Sequence, residues 1–164
     1  MSIEEFDDLL QKYFWQVNFK WSGVRTVPQG ERTYYISGFY NFFSDVPTNY
    51  QDSADKDKYP YLQLTDYIKD PDPVGKARDS IEEAYTKHFI SLLTYMNDRQ
   101  QFVKSISSFE IEYYKNALSY VEKNGINIYG VLVYAEARHL LEFIANEKIK
   151  TIEINSILPS KYIK

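Results

Sequence analysis

The strongest constraint on the fold lies in the last third of the chain, where a helical pattern, a sharp turn and an apolar run follow one another. Residues 109–123 carry apolar side chains at helical spacing, and Gly125 is placed to adopt the left-handed helix cap. The apolar run 126–134 predicts a central strand that is covered on both faces. A second amphipathic segment, 135–148, is long enough to return the chain for a parallel strand at 149–157. The pattern therefore predicts a C-terminal helix-strand-helix-strand unit.

The first forty residues predict a short helix and an aromatic β-hairpin. Ser2 and Glu5 have capping-box spacing, and a helical apolar pattern follows them. A two-residue alternation then predicts a strand with one buried face. The apolar residues of that face are Trp15, Val17, Phe19 and Trp21. Turn chemistry at 28–30 precedes a second aromatic strand at 32–40, which we expect to pair antiparallel with the first, and Gly38 is expected to mark a bulge in it.

The middle of the chain predicts a long irregular excursion and then a helix. From 41 to 73 the periodicity is lost, and we expect at most one short strand, at 61–64. Loops of this length are typical of binding segments or of disorder. Asp72 and Pro73 have the residue types of a helix N-cap and first helical position. The apolar stripe of the predicted helix consists of Ala77, Ile81, Ala84, Tyr85, His88, Leu92 and Met96.

Length and composition agree with these patterns. A chain of 164 residues is about one domain. Aromatic residues make up 17% of it, with 16 Tyr and 10 Phe, and this excess favours strands because aromatic side chains suit a pleated, half-buried surface. We therefore predict a single α+β domain over residues 1–164, with a mixed β-sheet and helices packed on it.

Charge and cysteine content restrict the partners. The formal net charge of −4 provides no basic field for a phosphate backbone, so nucleic-acid binding is disfavoured. The chain has no Cys, which removes disulfides and thiolate metal sites and leaves the redox compartment open. No apolar run reaches the length of a membrane span, and the N-terminus lacks the pattern of a signal peptide. We expect that this polypeptide itself needs no membrane contact.

The residues that carry chemistry give no catalytic, cofactor or metal site. His88 is expected to be packed within its helix, and His139 to face solvent. There is no nucleophile elbow and no glycine-rich nucleotide loop. The acidic stretch 52–57 lacks the turn glycine and the final Glu of a calcium loop, which favours a solvated loop. The sequence thus predicts a protein that is not an enzyme.

A series of aromatic residues is the candidate surface for a partner or ligand. Such rings give a large contact area with few rotatable bonds. Alternate members of a strand must also fill a core, so a purely structural role is the competing interpretation. The candidate residues are Tyr34, Tyr35, Phe39, Tyr40, Phe42, Phe43, Tyr50, Tyr59 and Tyr61.

A specific order of motifs runs from 109 to 158. It comprises a helix that ends in Glu-Lys-Asn-Gly at 122–125, a strand of the Ile-x-Ile-Tyr-Gly-Val-x-Val type at 126–133, a helix with the pair Leu140-Leu141, and a final strand. In residues and in order, this region resembles the C-terminal domain of the sigma factor regulators. These are the membrane-spanning anti-sigma factors of Gram-positive bacteria.

The likeness extends upstream to the helix at 2–10, the aromatic strand at 15–21 and the segment 34–39. It implies a non-catalytic sensory domain on the outer side of the cytoplasmic membrane, controlling sigma-factor-dependent transcription through signal or partner binding. It also implies that residues 1–164 are a fragment of a longer membrane-anchored protein, whose missing N-terminal region binds the sigma factor. Tyr-Ala-Glu at 134–136 departs from the small residues, often Thr-Gly, that the family carries there.

Two other functions stay open at the level of sequence. If Met1 is the native start, the chain is a free-standing cytosolic small-ligand-binding protein or enzyme that uses 41–73 as a lid, with carboxylates such as Asp45 or Asp66 at its pocket. A structural or dimerising module would instead carry a self-complementary apolar patch.

Overall fold

The computed structural model describes residues 1–31, 36–41, 55–64, 67, 79–106 and 111–158. The helices of this part of the chain are α1 (Ile3–Lys12), α2 (Ile81–Asp98), α3 (Gln100–Ile106), α4 (Ile111–Asn124) and α5 (Ala137–Asn146). The strands are β1 (Val17–Val24), β2 (Ser37–Tyr40) and β3 (Ile128–Ala135). The predicted α+β class, with helices packed on a sheet, is confirmed.

The helix boundaries follow local capping chemistry. Ser2 and Glu5 form the predicted capping box of α1, since the Ser2 hydroxyl accepts from the Glu5 amide at 3.2 Å and the Glu5 carboxylate accepts from the Ser2 amide at 2.8 Å. At the end of α4, Gly125 has φ of +71°, as predicted, and its amide donates to the Val121 carbonyl at 2.8 Å. Both predictions rest on short-range geometry, and both are confirmed.

The helix α2 begins later than the sequence predicts. Its first residue is Ile81, and the side chain of Ser80 caps it by accepting from the Glu83 amide at 3.2 Å. The prediction that this helix starts at Asp72 and Pro73 is therefore wrong, and these two residues lie outside the described part of the chain. The physical reason is the capping box of Ser80 and Glu83, in which each side chain accepts from the backbone amide of the other residue and so sets the first residue of α2.

The described strands form an antiparallel sheet in the order β2-β1-β3. The predicted hairpin of the first two strands is confirmed, with Trp21 opposite Tyr40. The apolar run 126–134 does not form the predicted central strand, because β3 lies at an edge of the described sheet. Its side chains Tyr129, Leu132 and Tyr134 are exposed. The physical reason is that its large side chains alternate between a helix-covered face and an uncovered one.

The predicted fourth, parallel strand is not formed. Residues 151–158 adopt no regular secondary structure and are exposed. All strand pairs among the described residues are antiparallel, so the predicted mixed sheet and the final strand of the helix-strand-helix-strand unit are both corrected.

A β-bulge in β1 controls which side chains reach the core. Phe19 pairs with Val133 and Trp21 with Leu132, so Lys20 is an extra residue in β1. The bulge reverses the alternation: Phe19 is buried, whereas Trp21 turns to the opposite face. The predicted buried face is therefore wrong at Trp21. It is also wrong at Trp15, which lies in the turn before β1 and is 90% exposed.

Asn41, just after β2, satisfies the backbone at this bulge. Its amide group donates to the Phe19 carbonyl at 3.1 Å, and its backbone amide donates to the Lys20 carbonyl at 3.1 Å. The Asn41 side-chain oxygen accepts from the Ser22 hydroxyl at 3.0 Å. Because these groups are buried, each hydrogen bond avoids the cost of an unpaired polar atom.

The core lies between the sheet and the helices and is largely aromatic. Phe6 of α1 meets Phe19 edge to face at 6.2 Å between ring centroids, and Phe39 of β2 stacks on Tyr85 of α2 at 5.0 Å. Phe143 of α5 closes the other end of the core. The sheet therefore has one face covered by α1, α2 and α5.

Hydrogen bonds hold the segment 55–64 against α2. The Tyr59 hydroxyl donates to the Asp98 carboxylate at 2.7 Å, and the Ser91 hydroxyl donates to the Pro60 carbonyl at 2.7 Å. The predicted short strand at 61–64 is wrong, because Tyr61 has φ of +53° and the chain turns there.

His88 anchors this turn as a neutral side chain. It is buried, as predicted, and its Nδ1 donates to the Tyr61 carbonyl at 2.7 Å. Burial lowers the pKa of His88 to about 4 from its ordinary value of 6.5, so the imidazole is uncharged at neutral pH.

This burial predicts a loss of stability in mild acid. Between pH 6.5 and about 4, His88 binds a proton in the unfolded chain but not in the folded one. The free energy of unfolding should therefore fall as pH decreases through this window, with a slope that approaches about 1.4 kcal/mol per pH unit. Denaturant unfolding between pH 7 and 5 should show a shallower slope for His88→Gln. The control His139→Gln should retain the full slope, and an unchanged slope in His88→Gln would contradict this account.

Candidate functional site

An apolar, largely aromatic surface covers the side of the sheet that faces away from the helices. We call it the outer face, and it consists of Trp21, Tyr40, Tyr129, Leu132 and Tyr134. The strand register places three of these residues in one row across the sheet, in the order Tyr40, Trp21, Leu132. Tyr40 and Tyr134 are each more than half exposed, and among the described residues no helix or strand covers this face.

Two paired glycines form the floor beneath the indole of Trp21. Gly38 of β2 pairs with Gly23 of β1, and the Trp21 ring crosses both. A Cβ at Gly38 would overlap the indole and the Ser22 carbonyl oxygen, and one at Gly23 would lie 3.1 Å from the ring. The predicted bulge at Gly38 is therefore wrong: this residue pairs in register, and its lack of a side chain lets the ring lie flat on the sheet.

Cationic side chains border the outer face. The Lys20 ammonium lies 6.0 Å from the centre of the Tyr134 ring, and the Arg25 guanidinium lies 5.7 Å from that of Tyr129. Partial burial raises the pKa of the Tyr129 hydroxyl, with a further contribution from Tyr113, so this phenol stays protonated at neutral pH. The outer face thus offers flat apolar area, phenol hydroxyl groups and positive charge at its border.

The structure divides the predicted aromatic surface into core and exposed residues. Phe39 belongs to the core, and Tyr40 belongs to the outer face. Tyr59 is buried, and the hydroxyl of Tyr61 donates to the Asp79 carboxylate at 2.7 Å. Tyr59 and Tyr61 therefore hold the segment 55–64 on α2 rather than form a shared binding platform. Predicted members that lie outside the described residues are Tyr34, Tyr35, Phe42, Phe43 and Tyr50.

Sequence reasoning missed four residues of the outer face. The regular two-residue alternation predicts that Trp21 is buried. The bulge at Lys20, which reverses this alternation, leaves no signal in the sequence. Three further residues belong to β3, which the sequence predicts to be covered on both faces. The two-residue spacing within this group indicates a shared strand face. These residues are Tyr129, Leu132 and Tyr134, of which the last two share one face of a strand.

Neither the histidines nor the acidic residues assemble into a reactive cluster in the described part of the chain, and no group there could hold a metal ion. His139 is half-buried on α5 rather than fully solvent-facing. In the acidic stretch, the Asp55 carboxylate accepts from the backbone amides of Asp57 and Lys58, which is turn chemistry. The carboxylates that were predicted for a ligand pocket, Asp45 and Asp66, lie outside the described residues.

A shallow, open depression of about 480 Å³ lies between the turn after β1 and α4. None of its lining residues belongs to the segment 55–64. Its lining residues are Pro28, Gln29, Asn116, Ser119, Tyr120, Lys123 and Asn124. The described part of the excursion 41–73 is thus no lid over this depression.

The described residues thus combine a sheet that helices cover on one face with an aromatic surface on the other. A profile of the family described as "Sigma factor regulator C-terminal" matches residues 1–156, and the chain belongs to that family. The resemblance found in the sequence is confirmed. Membership of this family indicates a regulatory role that acts on sigma factors. As a family, these regulators are membrane-anchored and generally non-catalytic.

A curated relative agrees with this assignment. The chain is 29% identical over 69 residues to the probable anti-sigma-M factor YhdL of Bacillus subtilis (strain 168). The match covers 42% of this chain and 19% of that protein, so it spans about a fifth of the relative. No solved structure matches the chain. None of the helices in the described residues is both long and apolar enough to cross a membrane.

The glycine floor predicts a sharp difference between two Gly→Ala substitutions. In Gly38→Ala the new methyl group would overlap the indole and a backbone oxygen, and displacing them should cost about 1–3 kcal/mol. The matched control is Gly130→Ala on β3, where a Cβ meets nothing within 4 Å, so its effect should stay within about 0.5 kcal/mol. Denaturant unfolding measures both. Equal stability of the two variants would show that the Trp21 ring does not lie on Gly38.

Proposed function

We propose that this chain is the extracytoplasmic regulatory domain of a membrane-anchored anti-sigma factor, and that its outer face binds the protein partner or envelope signal that sets sigma-factor activity. The observation that carries the proposal is the family match over residues 1–156. In this proposal, a region of the parent protein outside residues 1–164 binds the sigma factor. The domain contributes recognition and no catalysis.

The outer face suits this role because flat aromatic area with few rotatable bonds is typical of binding hot spots. Trp21 is held in place by the glycine floor, so little side-chain freedom is lost when a partner covers it. Covering the exposed apolar rings with a partner would remove apolar surface from water, which favours binding. The Lys20 and Arg25 cations favour a partner with acidic or polar groups around an apolar centre.

Regulation requires that the partner distinguish two states of the domain or of the parent protein. A ligand shifts an equilibrium only by the difference between its affinities for the two states. We propose that binding at the outer face changes how the domain constrains the rest of the parent, and that this change reaches the sigma-binding region through the membrane.

A reporter of sigma-dependent transcription tests the regulatory role in the natural host. Removal of residues 1–158 from the parent protein should change reporter activity several-fold. The double substitution Leu132→Ser with Tyr134→Ser should change it in the same direction, because it removes the exposed apolar area of β3. Leu141→Ser is the matched control, since this leucine is 67% exposed on α5, away from the outer face.

The outcomes separate the role from the surface. An unchanged reporter after removal of the domain would contradict the regulatory role. A response to removal but none to the double substitution would keep the role and reject the outer face as the binding surface. The variant proteins should be checked for equal abundance, since a degraded parent would imitate removal.

A topology reporter tests the proposed placement. An alkaline phosphatase joined after residue 158 of the parent protein should be active, because this enzyme needs the oxidising side of the membrane. A β-galactosidase at the same position should be inactive. The reverse pattern would place the domain in the cytoplasm and favour the alternative, a cytosolic small-ligand-binding protein.

A further inference from the structure

The C-terminal segment, residues 151–158, is an apolar sequence of strand type that pairs with no strand among the described residues. Four of its side chains are exposed, by 47% to 83%. They are Ile152, Ile154, Ile157 and Leu158. No hydrogen bond joins this segment to the other described residues. An exposed apolar segment with alternating Ile residues is the kind of sequence that adds to a sheet edge.

A sheet edge of matching length is available on β3. Among the described strands, β3 pairs with β1 alone, which lies on one side of it. On its other side, Met1 occupies the beginning of the edge, since the Met1 carbonyl accepts from the Ile128 amide at 3.0 Å and the Met1 amine donates to the Ile128 carbonyl at 2.9 Å. From 130 to 135 the described residues provide no neighbouring strand. Exposed edges of this kind readily accept a strand from another molecule.

We propose that two copies of this chain form a dimer in which the C-terminal segment of each adds as an antiparallel strand to the β3 edge of the other. The exchange is reciprocal, so one two-fold axis relates both contacts and the interface closes on itself. The register places Ile152 beside Tyr134 and Ile154 beside Leu132. Ser156 then reaches Gly130, where the edge becomes occupied.

Side-chain pattern and charge both fit this register. Ile152 and Ile154 fall on the same side of the sheet as Leu132 and Tyr134, so they extend the apolar outer face and bury part of it. Just before the strand, Lys150 comes opposite Glu136, whose carboxylate is 62% exposed and has Arg138 Nε at 3.0 Å on its own helix, which leaves it accessible to a second cation. An opposite-charge pair at that position fixes the direction of the added strand.

The geometry at the end of α5 favours a second copy over the chain's own edge. The ten residues of α5 carry the chain about 15 Å from the end of β3. Beyond the helix, Glu147 accepts from Lys12 at 2.7 Å and from Tyr13 at 2.8 Å. Ile149 packs on the core, and its amide donates to the Glu147 carbonyl at 3.0 Å. Pairing with its own β3 in this register would require the chain to stretch back and break these contacts.

Cysteine cross-linking tests the proposal cleanly because the chain has no Cys. Leu132→Cys and Ile154→Cys are prepared as separate single variants, mixed, and oxidised. Cross-strand neighbours have Cβ atoms close enough for a disulfide, so the mixture should give several-fold more covalent dimer than either variant alone. The pair Tyr134→Cys and Ile152→Cys should behave in the same way. Both pairs replace exposed residues, and circular dichroism confirms that the variants are folded.

The control mixture is Leu141→Cys with Ile154→Cys, because Leu141 is highly exposed on α5 but lies away from the β3 edge. It should give no excess of dimer. A disulfide within the monomer of a double Leu132→Cys, Ile154→Cys variant, without covalent dimer in the mixture, would overturn the proposal and place the segment on its own sheet. Absence of a disulfide in both arrangements would also overturn it, since the segment would then not lie on β3.

Discussion

The hydrogen bonds of Asn41 at the bulge in β1 are the constraint on which the surface of this domain depends. The bulge reverses the side-chain alternation of β1, so odd-numbered residues before it and after it point to opposite faces of the sheet. Before it, Phe19 points into the helix-covered core; after it, the buried positions are taken by Ser22 and Val24. Asn41 donates to the carbonyl groups of Phe19 and Lys20, so both of these acceptors at the bulge are satisfied. Without the bulge, Trp21 would point into the core.

This single register change connects packing with the proposed recognition. It turns Trp21 to the outer face, where the side chain is half-buried beside Tyr40 and Leu132, and the paired glycines let the indole lie on the sheet. A small hydrophilic residue, Ser22, takes the buried position that an aromatic residue would otherwise occupy, and it hydrogen-bonds to Asn41. The outer face is therefore a consequence of how the core is built, and the edge strand β3 completes it. On the side away from β1, the same strand has no neighbouring strand among the described residues, and the proposed dimer uses this edge.

The sequence correctly predicts elements that depend on residues close together in the chain. It fails for features that depend on contacts between residues far apart in the chain. The capping box of α1, the antiparallel hairpin and the Gly125 cap follow from residue types at short spacing. The face of the sheet to which Trp21 points depends on the bulge that Asn41 stabilises from twenty residues away. No local sequence pattern indicates this bulge. The interpretation of β3 as central failed because an apolar run is equally compatible with one covered face and an apolar exposed face. Of the predicted surface residues that the structure describes, Tyr40 alone lies on the outer face, because strand alternation places it opposite the buried Phe39.

The contacts of the Trp21 indole test the central claim most directly. In a two-dimensional NOE spectrum, the account predicts cross-peaks between the indole protons of Trp21 and the α-protons of Gly38 and Gly23, which ring currents should also shift upfield. Replacement of Trp15 by Phe leaves Trp21 as the sole tryptophan and makes the assignment unambiguous. Cross-peaks from the indole to the core rings of Phe6 or Phe89 instead would contradict the account, because they would place Trp21 inside the protein and abolish the outer face.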